Sequence, residues 1–366
     1  MNQSIGNGKL FIRGVFTTAI LVALKLPATA LTFNLTFDTS VTSLANAAQV
    51  EAAFTNATQV FQNLYTNAMT VNITVLFSSG ISLGESSTSL RGNPTYAQLT
   101  NALRTARTTA ADSNSVASLP PSDPTGGPWW IPRAEAKALN GFFGVATNSS
   151  TQDGSVYFLS TVSYTFDATN RAVSGKYDFI GVAEHEISEV LGRGYILNYG
   201  INGYEPFDLF RFTNSGARTF NTNDTGVYFS VDDGVTSLKT YNNINNGGDL
   251  QDWLPSSPAD AYDYSLTTGQ KAFLSSVDLT TLDILGYKLN FSVPNLSGAR
   301  LSNGNFQLTF TNVSGLNFSI LASTNIATAV TNWTVLGMPT ETPAAGQYQF
   351  TDSITNKARF YRVRLN

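Results

Sequence analysis

Apolar and polar residues alternate at Leu31, Phe33, Leu35 and Phe37, the spacing of a strand with one face buried, and the same pattern returns over Val71–Phe77. Between them, Val50, Phe54, Val60, Phe61 and Leu64 recur near helical spacing and predict a helix within Ala45–Asn67. Tyr96–Ala111 reads as a second helix and Ala134–Leu139 as a short third. They are separated by the breaker-rich loop Leu119–Pro128. A strand over Ser155–Phe166 runs just ahead of an apolar-striped helix at Asp178–Arg193. Ser276–Leu285 is a last helix, closed by Gly286. From Phe291 the pattern changes to short strands at Phe306–Phe310, Leu316–Leu321, Trp333–Leu336, Tyr348–Phe350 and Phe360–Leu365. The expectation is an α+β domain over residues 31–290 and a small all-β sandwich over 291–366, with the boundary near Asn290–Pro294.

Composition narrows the setting. Lys9 and Arg13 precede an apolar run, Gly14–Leu24, too short to span a bilayer, and Ala28-Thr29-Ala30 offers a cleavage site. Residues 1–30 therefore read as a signal peptide, and the protein as secreted. Losing that leader removes three of the 21 basic residues and none of the 25 acidic ones, which moves the net charge from −4 to −7. No basic block occurs, so nucleic acid is excluded as a partner. No later stretch is long and apolar enough to cross a membrane. Cysteine is absent from all 366 residues, so an exported fold of this kind rests on core packing alone.

The chemistry concentrates in Glu184-His185-Glu186-Ile187-Ser188-Glu189. A zinc-protease helix carries H-E-x-x-H, two imidazoles one turn apart with a carboxylate between them. Here Glu189 stands at the second His position, and His185 is the chain's one histidine. On a helix, Ile180, Ala183, Ile187, Val190 and Leu191 form one stripe. His185 and Glu189 lie about 40° apart on the other face, with Cβ atoms about 5–6 Å apart, near enough to share an ion. Glu186 lies beside them, where a general base belongs. The plainer alternative is a solvated helix face, with Glu189 and Arg193 four apart as an ordinary surface ion pair.

The surrounding residues resemble a family of secreted bacterial zincin-type metalloproteases, some of which carry a PEP-CTERM sorting signal. The resemblance runs from about residue 31 to 288. It rests on the Gly154–Arg193 run with Tyr177-Asp178-Phe179 and Val190-Leu191-Gly192, and on Ala134–Leu139 after the Pro120 loop. Phe207–Phe212, Tyr228–Gly234, Gly248–Trp253 and Asp278–Tyr287 follow in order. It implies a zincin-like fold, a mixed sheet whose edge strand can pair with an extended peptide, and hydrolysis of peptide bonds. His185 is then the first metal ligand, Glu189 the second, and Glu186 the base that deprotonates a metal-bound water.

A carboxylate in place of an imidazole is permissible for Zn²⁺, but it weakens the Lewis acid and favours harder divalent ions. Tyr195 stands where a third ligand is expected. Asp208 is therefore the leading third-ligand candidate and Glu205 the next, with an Asp208–Arg211 ion pair as the competing role. Tyr195 or Tyr204 is a candidate oxyanion donor. Asp232, Asp233, Asp249 and Asp252 are Ca²⁺ candidates, though capping and turn formation explain them more simply.

The tail resembles small C-terminal β-modules of secreted bacterial proteins. This implies a spacer or a surface- or glycan-binding unit, with Trp333 in its core. Three readings follow: a metal-dependent peptidase acting on peptide or protein substrates, a catalytically inactive zincin-like extracellular binding protein, and a carboxylate-pair glycosidase. The last is disfavoured because Glu186 and Glu189, three apart on one helix, do not flank a glycosidic bond.

Overall fold

The alternation at the start of the chain becomes the strand Thr32–Phe37, half-buried residue by residue and parallel to Thr70–Ser78. In this computed structural model, which describes residues 30–194, 196–198, 202–243, 248–353 and 359–366, Gly154–Leu159 then adds a third parallel strand. The segment expected to be a signal peptide, Ala30 apart, lies outside the described residues. Gly84–Thr88 completes the sheet as an antiparallel outer strand, paired among the described residues with Gly154–Leu159 alone. The inner strands Thr70–Ser78 and Gly154–Leu159 leave no residue exposed and carry Val, Ile and Phe, whereas Thr32–Phe37 at the sheet's edge keeps every second residue exposed. The outer strand, Gly-Glu-Ser-Ser-Thr, has no apolar alternation and escaped the pattern reading.

Helix Ala47–Leu64 buries Val50, Phe54, Phe61 and Leu64 and packs against helix Phe179–Ser188. Phe158 of the sheet stacks on Phe179 at 4.1 Å and meets Phe54 edge-on at 6.1 Å, so one aromatic row locks sheet and helices together. The single helix expected over Tyr96–Ala111 is two helices, Tyr96–Ala106 and Ala110–Ala117. Thr109 and Asp112 form a second capping box behind the one made by Thr95 and Gln98, and this restarts the backbone.

Among the described residues the fold is mixed α and β, with seven α-helices and several small sheets. After the central helix the chain builds a small antiparallel sheet containing Arg211–Asn214 and then the capped helix Ser276–Ile284. The strands within residues 297–352 and 360–365 form two antiparallel sheets, bridged by ring contacts of Phe318 with Phe310 at 5.1 Å and with Tyr348 at 5.0 Å. Trp333 is buried and donates its indole N–H to Thr328 O. The pattern missed Ser297–Arg300 and Thr340–Glu341, which lie at the ends of one of these sheets. The apolar core is continuous from the first sheet to Phe310, Phe318 and Ile320, with Leu274 bridging to Leu316. No helix among the described residues is long and apolar enough to cross a membrane.

Candidate metal centre

Helix Phe179–Ser188 begins at Asp178, but Asp178 does not cap it. Its carboxylate is occupied by Arg171 and by the backbone N–H of Ala272. The helix is buried almost all round. Glu184, Glu186 and Glu189 are 1 %, 5 % and 3 % exposed, so the solvated helix face of the plainer alternative is not there. Glu184 is paired with Arg171, and burial raises its pKa to about 7 against that cation's pull. Beyond Ser188 the backbone widens into a π-helical turn, Glu189–Arg193, and Gly192 at φ +129° turns the chain back. Arg193 is thereby folded beneath the helix it has just left.

Three ligand-bearing side chains converge here. His185 Nε2 lies 3.5 Å from Glu189 Oε1 and 3.2 Å from Asp252 Oδ1. One ligand atom from each of the three lies within 4.8 Å of the others, and they form the one such group among the described residues. Ions bound tetrahedrally at about 2.0–2.2 Å space their ligands about 3.3–3.6 Å apart, so the two histidine distances suit such a site. His185 Nδ1 lies 2.9 Å from Ala261 O; a carbonyl only accepts, so Nδ1 donates and Nε2 is the nitrogen available to an ion.

The surroundings are charged and largely buried. Arg193 donates to Glu189 Oε1 at 3.0 Å and also to Asp252 Oδ1, which makes the Glu189–Arg193 pair a buried one. Ser86 of the outer strand donates to the second oxygen, Glu189 Oε2, at 2.8 Å. Burial and Arg193 both disfavour a charge on His185, yet Asp252 and Glu189 outweigh them and hold the imidazole's pKa well above its usual range. Burial would raise Asp252, but His185 and Arg193 bring it below the usual value. Burial first, then the Glu189 charge, push Glu186 well up. An elevated carboxylate pKa is what a base working near neutrality needs.

Glu186 sits directly against the outer strand. A Cβ at Gly84 would fall 2.4 Å from Glu186 Oε1 and 2.7 Å from Val182 Cγ1, so only glycine leaves the carboxylate its place. A cleft of about 410 Å³ opens over His185, Glu186, Glu189 and Asp252, walled by residues 82–86 on one side and by Asp260–Leu266 on the other.

The carboxylate that joins His185 and Glu189 is Asp252, and Asp208 is elsewhere. Asp208 is fully buried and accepts from Glu205 N at 2.9 Å and Gln251 Nε2 at 3.2 Å, and its pKa is raised by burial. Glu205 accepts from Ile196 N at 3.0 Å. Both acids thus serve a buried turn. Tyr204 packs on Trp129 and Phe220, away from the cleft, and Tyr195 lies outside the described residues. Asp232 ties its own loop through Ser230 and Thr236, as turn formation predicts.

Asp252 stands 59 residues beyond Arg193, in a loop whose spacing announces no ligand. The sequence offered Asp252 only as one of four Ca²⁺ candidates, within the Gly248–Trp253 run, and not as a partner of His185; the neighbouring Trp253, fully buried and donating to Asp278, anchors the loop. No family model, curated protein or solved structure matches the chain.

Proposed function

We propose that the chain is a secreted, metal-dependent peptidase-like protein, built as a zincin-like domain followed by a small β-sandwich module. The carrying observation is the convergence of His185 Nε2, Glu189 and Asp252 beneath an open cleft, with Glu186 beside them. One nitrogen and two carboxylate oxygens suit Zn²⁺, with Mn²⁺ a harder alternative. Such an ion supplies Lewis-acid polarisation of water and of a substrate carbonyl. The chain's own residues do the rest. Glu186 takes the proton of the attacking water and passes it to the departing amine. Ser86 and Arg193 fix Glu189, and Ala261 O fixes the His185 ring. Among the described residues the outer strand Gly84–Thr88 is paired on one side only, and an extended peptide can add along the other.

The test is elemental analysis with a caseinolytic assay. Wild type should carry about one equivalent of transition metal, lost in His185→Ala. Glu186→Gln should keep the metal and lose turnover by about 10²–10⁴-fold, the range for a general base. Equal turnover in Glu186→Gln and wild type removes Glu186 from that role. One observation favours a second reading, a zincin-like extracellular binding protein without hydrolysis: Arg193 already balances both carboxylates. Folded protein that stays metal-free in zinc-supplemented buffer decides for it.

A further inference from the structure

Arg193 is placed with unusual thoroughness for a surface-type residue. Its side chain is 0 % exposed, and its guanidinium lies 4.7 Å over the Tyr262 ring. Nε donates to Ser188 Oγ at 2.8 Å and Nη1 to Gln251 O at 3.2 Å. Nη2 and Nη1 also donate to Glu189 Oε1 and Asp252 Oδ1, the same two oxygens that face His185 Nε2. Each inward oxygen is therefore shared between a fixed cation and the point where three ligand atoms meet.

We propose that Arg193 is a positioning residue of the metal centre, a built-in cation that holds both acidic ligands converged and tunes the site toward a borderline ion such as Zn²⁺ over harder ones. The proposal rests on the metal-centre reading above. A neutral imidazole with two carboxylates presents a charge of −2, and Arg193 reduces it to −1, the charge of a two-histidine, one-carboxylate zinc set. Arg193 also takes one lone pair from each inward oxygen, which favours single-atom ligation by both acids. Hard cations gain most from extra negative charge and from additional oxygen contacts, so the guanidinium withholds from them what they need. A lysine keeps the charge but has no planar fork to span two carboxylates.

The experiment uses the purified chain, stripped of metal, with Zn²⁺ and Mn²⁺ affinities read by chelator competition for wild type, Arg193→Lys and Arg193→Met. Melting of the metal-free proteins is measured in parallel. Arg193→Lys should weaken both ions by about 10–100-fold, the usual effect of an outer-shell partner, and leave their ratio unchanged. Arg193→Met should shift the Mn²⁺:Zn²⁺ affinity ratio toward Mn²⁺ by about tenfold or more. It should also lower the metal-free melting temperature, because two buried carboxylates lose their cation. A wild-type ratio in Arg193→Met overturns the proposal. If that variant does not fold, unchanged Zn²⁺ affinity in Arg193→Lys overturns it alone. Wild type that binds neither ion removes the metal-centre reading itself, an outcome distinct from wild type that binds Zn²⁺ with Arg193 irrelevant.

Discussion

Asp252→Asn separates Asp252 from Asp208 as the third ligand, and its size follows from the contacts. In wild type, Asp252 Oδ1 lies 3.2 Å from His185 Nε2 and accepts from Arg193. A full structural zinc set is worth roughly 10–16 kcal/mol over four ligands, so one ligand carries about 3–4 kcal/mol, or about 10²–10³ in affinity. The metal-free fold should suffer less. Breaking a buried ion pair outright costs about 3–5 kcal/mol, but asparagine keeps an acceptor for Arg193 and Glu189 remains, so about 1–3 kcal/mol is expected. Asp208→Asn is the control. It disturbs the bonds to Glu205 N and Gln251, which costs about 0.5–2 kcal/mol of stability and leaves metal affinity alone. Chelator competition reads the affinities and denaturant unfolding of metal-free protein reads the stabilities. Asp252→Asn binding Zn²⁺ like wild type, with Asp208→Asn losing it, would refute the reasoning.

Gly84→Ala places a Cβ 2.4 Å from Glu186 Oε1, where ordinary contact begins at 3.4 Å. The carboxylate must retreat by about 1 Å, and misplacement of that size costs about 10² in rate. Metal content should be unchanged; full turnover in Gly84→Ala would place Glu186 outside the chemistry. Away from the cleft, burial and then nearby Asp112 raise the Asp283 pKa to about 7, and its Oδ2 accepts from Thr109 Oγ1 at 2.6 Å. A carboxyl raised in the folded state binds its proton more tightly there than in the unfolded chain. Its stabilising effect is full below about pH 4 and is lost as pH rises toward 7. Asp283→Asn should therefore gain about 2–3 kcal/mol relative to wild type between pH 5 and pH 8, read by unfolding at both pH values. A difference that does not change with pH would show that Asp283 titrates normally.

Periodicity located the strands Thr32–Phe37 and Thr70–Ser78, the helix Ala47–Leu64 and the later β-strands, because each has one apolar face to bury. It missed Gly84–Thr88 for the opposite reason: that strand is polar throughout, with Ser86 and Gly84 turned to functional neighbours. His185, Glu186 and Glu189 were legible as a motif, since one helix sets their spacing. Asp252 was legible only as a Ca²⁺ candidate and Arg193 only as a surface partner of Glu189, not as members of this buried group. Asp252 reaches the group through tertiary folding of a loop, and Arg193 turns inward only because Gly192 adopts φ +129°. The burial of Glu184, Glu186 and Glu189 was equally hidden, because a helix packed on every side carries acids inward only when partners such as Arg171 and Arg193 meet them.

The most direct measurement is a crystal structure of zinc-loaded protein with anomalous data collected on both sides of the zinc edge. One anomalous peak is expected within about 2.0–2.2 Å of His185 Nε2 and of one oxygen each from Glu189 and Asp252. Diffraction from the same protein with no peak there, and with His185 still bridged to both acids, would contradict the account.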